Sequence, residues 1–170
     1  MTLIARLAER FAQLEDELNA LDAAAGDGDH GSTILRGLRA AEGSDDPVTA
    51  FRSATGGASG ALFAQLLAAL LAHRGGAPLP EALGRAAARI GAIGQAKPGD
   101  RTMLDALIPA SATTGVAAAA EAARIGAEAT RTMPARRGRA RHVEGAGLGH
   151  VDAGARSVAE MLAVLAGEAE

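Results

Sequence analysis

Three carboxylates fall within eight residues of the stretch Asp22-Ala-Ala-Ala-Gly-Asp27-Gly-Asp29-His30-Gly31, where a helical pattern stops and glycines let the backbone turn back on itself. Side chains converging there to about 5 Å would repel pairwise by roughly 3 kcal/mol at an effective dielectric near 20. The stretch has no Lys or Arg to offset that repulsion, and a divalent cation would do so. An all-oxygen donor set favours Mg²⁺, Mn²⁺ or Ca²⁺ over zinc or copper. The next residues, Gly31-Ser32-Thr33-Ile34-Leu35, read as a fresh helix start, and helix N-termini hold phosphates.

Spacing removes the rival metal and phosphate motifs. An EF-hand loop begun at Asp27 needs an oxygen ligand at its fifth position, Gly at its sixth and Glu at its twelfth; the chain has Gly31, Ser32 and Leu38. Gly26 to Thr33 approaches a P-loop, yet the Lys is missing and a helix, not a strand, precedes it. The four histidines, His30, His73, His142 and His150, are scattered and form no His-Glu-x-x-His zinc motif. The plain alternative is a set of solvated loop carboxylates. Against it, a negative charge at a helix C-terminus, where Asp22 falls, costs a few tenths to about 1 kcal/mol without a cation.

The elements that must carry this loop are helical. Alanine and leucine dominate, and β-branched and aromatic residues are scarce, with three Phe and no Trp or Tyr. Ile4, Leu7, Phe11, Leu14, Leu18 and Leu21 recur at spacings of three and four, which makes one apolar helix face ending by Gly26. Further helices are predicted over about 31–41, from Asp46-Pro47, over about 60–73, 80–93, 102–112, 115–132 and 152–166, roughly eight in all. Pro109 is expected to kink or split its helix. The Ala-rich stretch 116–129 permits close helix approach.

The length of 170 residues suits one domain spanning 1–170. A net charge of −3 and no stacking aromatics argue against nucleic-acid binding. The absence of cysteine excludes disulfides and thiolate metal sites and fits a reducing compartment. The N-terminus lacks the continuous apolar core of a signal peptide, and the longest apolar run, 61–72, is too short for a bilayer. A cytoplasmic protein away from membranes is the expectation.

Three more glycine-bearing junctions stand before or inside predicted helix starts. Gly56-Gly-Ala58-Ser59-Gly60 would allow close backbone approach to an anion, although a turn or a tight helix crossing explains it equally well. In Gly94 to Met103, Asp100 or Thr102 reads as a helix cap and Pro98 stiffens the loop. In Gly149-His-Val-Asp152-Ala153-Gly154-Ala155, Asp152 most simply N-caps the last helix. The Arg-rich segment 131–141 reads either as a solvated loop or as the source of an arginine for a phosphate.

Taken in order, these motifs resemble the nucleotide-binding L subunit, or L domain, of the dihydroxyacetone kinase family. The match runs from about residue 15 to the C-terminus through Leu21-Asp22 to Gly31, Gly56 to Gly60, Lys97 to Met103, Arg137-Gly-Arg139-Ala140 and Gly149 to Ala155. The resemblance implies an all-α, antiparallel eight-helix barrel with the nucleotide, ATP or ADP, at one end. It implies that Asp22, Asp27 and Asp29 hold two Mg²⁺ ions bridging the nucleotide phosphates. His30, Gly31, Ser32 and Thr33, with Ala58 and Ser59, would lie at the phosphates. Gly94 and Met103, beside Thr102, would form the nucleoside pocket, and Arg139 with Asp152, Ala153 and Gly154 would add further contacts.

In phosphoryl transfer the protein chiefly positions groups and neutralises charge. Arg139 is therefore read as the catalytic cation, the neighbouring Arg136, Arg137 and Arg141 as solvent-facing, and His30 as a loop-end contact rather than a phosphorylated residue. In the family the ketose sits on a separate K subunit or domain. That implies a K-type partner here, with either free ATP or a phosphocarrier of a sugar phosphotransferase system as donor; a homodimer is also compatible. Relative to the family, the segments between His30 and Ser59 and between Met103 and Arg139 look short, and Arg101 stands where lysine is common. The reading from another class is a nonenzymatic helical module that binds Mg²⁺, Ca²⁺ or nucleotide and regulates or scaffolds a partner.

Overall fold

In a computed structural model that describes residues 1–142, 145 and 147–167, with Arg139 and Ala140 described in backbone only, the chain forms eight α-helices. They are α1 (Leu3–Ala23), α2 (His30–Ala41), α3 (Pro47–Thr55), α4 (Gly57–Arg74), α5 (Leu79–Gly94), α6 (Leu104–Ser111), α7 (Val116–Ala129) and α8 (Ala153–Ala166). No strand occurs among the described residues. Each helix packs against the next, and α8 returns to α1, so the eight close into a ring. That is the antiparallel helical barrel expected from the resemblance.

The seam read on α1 is its buried face: Leu7, Phe11 and Leu18 are fully enclosed. They join Ile34 and Leu38 of α2, Phe51 of α3, Leu66, Leu67 and Leu70 of α4 and Leu162 of α8 in one continuous core. On α7 the inward positions are Ala119, Ala123, Gly126 and Ala127, small residues that let neighbouring helices approach. Side-chain caps set three of the starts. Thr2 accepts from Ala5 N–H at 3.2 Å, Asp46 from Thr49 N–H at 3.2 Å with Pro47 in the first turn, and Asp152 from Ala155 N–H at 2.9 Å.

Two expectations change. Pro109 does not split its helix; α6 runs through it and stops two residues later. Proline has no N–H to give the carbonyl four residues back, here Asp105. Gly126 of α7 abuts that same carbonyl so closely that a Cβ would collide with it. The cap of α6 also differs. Asp100 closes its own loop on Lys97 N–H instead, while Thr102 Oγ1 accepts from Leu104 N–H at 3.2 Å.

Candidate functional site

In a ring of alternately directed helices, the first, third, fifth and seventh connections emerge at one end. Those are the segments 24–29, 56, 95–103 and the described residues of 130–152, and they carry the four glycine-bearing junctions singled out in the sequence. Topology therefore gathers motifs spread over some 130 residues into one place. A cleft of about 510 Å³ opens there, within the size range of small-molecule sites.

The aspartate loop forms one wall. Asp22 lies in the last turn of α1, and its Oδ2 accepts the backbone N–H of Gly28 at 2.9 Å and of Asp29 at 3.1 Å. Asp22 is half-buried and Asp27 and Asp29 are exposed. One oxygen from each lies within 4.8 Å of the others. Octahedral Mg²⁺ holds oxygens at about 2.1 Å, hence at most about 4.2 Å apart, so a small inward movement of these side chains would meet an ion. The donor set, all carboxylate, suits a hard cation.

His30, the first residue of α2, faces the cleft. Its Nε2 is 2.8 Å from Ser157 Oγ of α8, and its ring meets Phe63 of α4 edge-on, with centroids 5.4 Å apart. Burial among these groups pushes the imidazole down to about 4, against the opposing pull of the Asp22 charge. It is neutral at pH 7 and suited to hydrogen bonding. Thr33, one turn on, also faces the cleft. Gly31 and Ser32 do not line it: Gly31 packs against the α1 backbone at Glu15, and Ser32 donates to Glu15 Oε1 at 2.7 Å and bonds Asn19 through both its hydroxyl and its N–H.

Ala58 and Ser59, in the first turn of α4, and Gly94, which ends α5, also line the cleft. Thr102 and Met103 line the cleft from the 95–103 connection, whose form is fixed by two buried carboxylates. Asp105 accepts the N–H groups of Gly99 and Thr102. Asp100 accepts Lys97 N–H at 3.0 Å and Arg137 Nε at 3.2 Å, and its carbonyl accepts Arg136 N–H. Burial raises the Asp100 carboxyl, but the Lys97 N–H and the Arg137 guanidinium together outweigh it and hold the group below the usual range.

Asp152, Ala153 and Gly154 complete the wall at the start of α8. Burial pushes Asp152 up to about 6, opposed by the Ala155 N–H and the charge of Arg101. Arg101 itself lines the cleft with its side chain 2 % exposed.

Arg137 is a correction. Read from sequence as solvent-facing, it lines the cleft and is tethered to Asp100. Arg136 and Arg141 are exposed, and Arg141 donates to His142. The side chain of Arg139 lies outside the described residues; its backbone opens a 3-10 turn, Arg139–His142. Sequence reasoning also missed Thr55, Leu62, Phe63 and Arg101 as lining residues. Arg101 alone carried a signal, since it sits inside the Lys97–Met103 stretch; the others look like ordinary core positions.

A helical ring that brings a carboxylate cluster and four glycine junctions to one cleft has known counterparts. The chain belongs to the dihydroxyacetone kinase family: the DAK2 domain matches residues 24–167. It is 36% identical over 186 residues to the D-erythrulose kinase of Mycolicibacterium smegmatis, covering 90% of this chain and 32% of the relative. To the triokinase/FMN cyclase of Rattus norvegicus it is 36% identical over 190 residues, covering 94% and 33%. The crystal structure of the dihydroxyacetone kinase from C. freundii in complex with AMP-PNP and Mg²⁺ superposes with a TM-score of 0.74 at 32% identity, over 99% of this chain and 33% of that one. The chain thus spans about one third of the length of these relatives. The matches to the D-erythrulose kinase and the triokinase extend over more residues than this chain contains, so those relatives have stretches missing here. Among the described residues no helix is long and apolar enough to cross a membrane.

Proposed function

We propose that the chain is the nucleotide-binding, phosphoryl-transfer part of a dihydroxyacetone kinase-type complex, acting on a small ketose held by a separate K-type subunit. The observation that carries this reading is the convergence of Asp22, Asp27 and Asp29 to within 4.8 Å at the rim of a cleft lined by all four glycine junctions. The relatives named as ketose kinases, and the neighbour solved with AMP-PNP and Mg²⁺, support it.

Asp22, Asp27 and Asp29 would hold two Mg²⁺ ions, which, when bound, neutralise charge on the nucleotide phosphates. Thr33, Ala58 and Ser59 would face those phosphates across the cleft, with the N-terminus of α4 aimed at anions. Met103, Gly94 and Leu62 would enclose the nucleoside, and Asp152 to Gly154 would close its outer side. Arg139 would bring a cation to the transferring group, with Arg137, anchored on Asp100, as a second. No protein nucleophile is required, because positioning and charge neutralisation carry phosphoryl transfer. The relatives are about three times as long as this chain, which leaves room in them for a ketose-binding part.

Two donors fit: ATP exchanging freely, or ADP kept bound and recharged by a phosphocarrier of a sugar phosphotransferase system. The test is reconstitution. Mixed with a K-type subunit loaded with dihydroxyacetone or erythrulose, the chain with Mg²⁺ and ATP should yield ketose phosphate. If ADP survives purification and only a phosphocarrier restores turnover, the ATP route is wrong. Nucleotide binding without transfer under either donor would favour a regulatory module.

A further inference from the structure

We propose that Arg101 is a positioning residue that clamps the Gly147–His150 turn and the Asp152 cap into the cleft wall, keeping that wall in register with the aspartate loop. Its Nη2 donates to the carbonyls of Gly147 at 2.8 Å and His150 at 2.9 Å, and its Nη1 lies 3.8 Å from Asp152 Oδ1. The turn it grips reaches the other side of the site. Gly147 N–H donates to the Ala24 carbonyl at 3.0 Å, two residues beyond Asp22. One guanidinium thus joins the start of α8 to the end of α1 through a single turn.

Two local costs mark the arrangement. Arg101 adopts a φ of +61°, in the left-handed region that non-glycine residues seldom occupy. Its buried Nε has no hydrogen-bond partner among the described residues. Such features persist where the surroundings over-determine them, and they cluster at functional sites. Gly147 completes the pair: with φ at +76°, it has no room for a Cβ, which would strike the guanidinium.

Electrostatics and positioning make opposite forecasts. Removing a cleft cation would by charge alone weaken binding of the anionic nucleotide but lower the Mg²⁺ requirement of the acidic loop; loss of the clamp should weaken binding and raise that requirement, and Gly147→Ala, which keeps the charge, should do the same. The inference rests on the Mg-nucleotide reading above, and the experiment separates the two. MgADP affinity by calorimetry, and the Mg²⁺ concentration giving half-maximal ADP binding, are measured for the wild-type chain, Arg101→Lys and Arg101→Met, each first checked by thermal melting without ligand. Arg101→Met should lose about 10-fold in MgADP affinity and need several-fold more Mg²⁺, whereas Arg101→Lys, which keeps charge and donors, should stay within about 3-fold. Should Arg101→Met not fold, Gly147→Ala, which disturbs the same contact with Arg101 in place, carries the same forecast. An Arg101→Met or Gly147→Ala protein that binds MgADP like wild type, or needs less Mg²⁺, overturns the clamp alone. A wild-type chain that does not bind MgADP overturns both readings.

Discussion

Asp22 Oδ2 accepts the backbone N–H of Asp29 at 3.1 Å, so the first carboxylate of the cluster holds the segment that carries the third. Asp22 therefore has a structural task besides any metal. Asp22→Ala should speed amide hydrogen exchange at Gly28 and Asp29, whereas Asp27→Ala should leave both amides protected. Equal exchange in the two variants would contradict this division.

The Asp100–Arg137 pair predicts a linked loss of stability and binding. Asp100→Ala removes the acceptor of Lys97 N–H and the tether of a cleft arginine. With Arg137 partly exposed, the cost should be about 1–3 kcal/mol in urea denaturation, with weaker nucleotide binding. Because the folded-state pKa of Asp100 is depressed, its contribution is present above the unfolded value and disappears as pH falls through the folded one. The gap between wild type and Asp100→Asn should stay constant near neutrality and shrink below about pH 4.

Asp152 should act in the opposite sense. Its folded pKa of about 6 lies above the ordinary 3.8, so the native state binds more protons through that window and stability falls as pH rises. Without nucleotide, wild type should lose stability between pH 4 and 6 relative to Asp152→Asn, which keeps the cap oxygen but cannot ionise. Parallel pH profiles from chemical denaturation would refute this.

Gly126 has a packing role that can be measured alone. Because a Cβ there meets the Asp105 carbonyl, Gly126→Val should cost at least 1–3 kcal/mol in urea denaturation, typical of overpacking. A variant as stable as wild type would show that α6 and α7 part easily.

Much of this was legible in the chain. The α1 seam, from Ile4 to Leu18, is a regular period over four turns, and Asp46-Pro47 and Asp152 mark helix starts by local chemistry that does not depend on the rest of the fold. Asp22, Asp27 and Asp29 were visible because they are adjacent in sequence. What stayed hidden depends on contacts across long separations. Arg137 looks like any member of a basic run until Asp100, 37 residues earlier, turns it toward the cleft. Arg101 reads as one more loop residue until the Gly147 and His150 carbonyls, 46 and 49 residues on, are seen around it. Pro109 looked like a break, yet it falls two residues before α6 ends, so the helix gives up only the bond to the Asp105 carbonyl.

If Asp22, Asp27 and Asp29 hold the metal, nucleotide binding must depend on a divalent cation. Calorimetric titration of the wild-type chain and Asp27→Asn with ADP and ATP, in Mg²⁺ and in EDTA, tests it most directly. Wild type should bind in Mg²⁺ and not in EDTA, and Asp27→Asn should bind in neither, with its far-ultraviolet helical signal unchanged. Binding of equal strength in EDTA, or by Asp27→Asn in Mg²⁺, would contradict it.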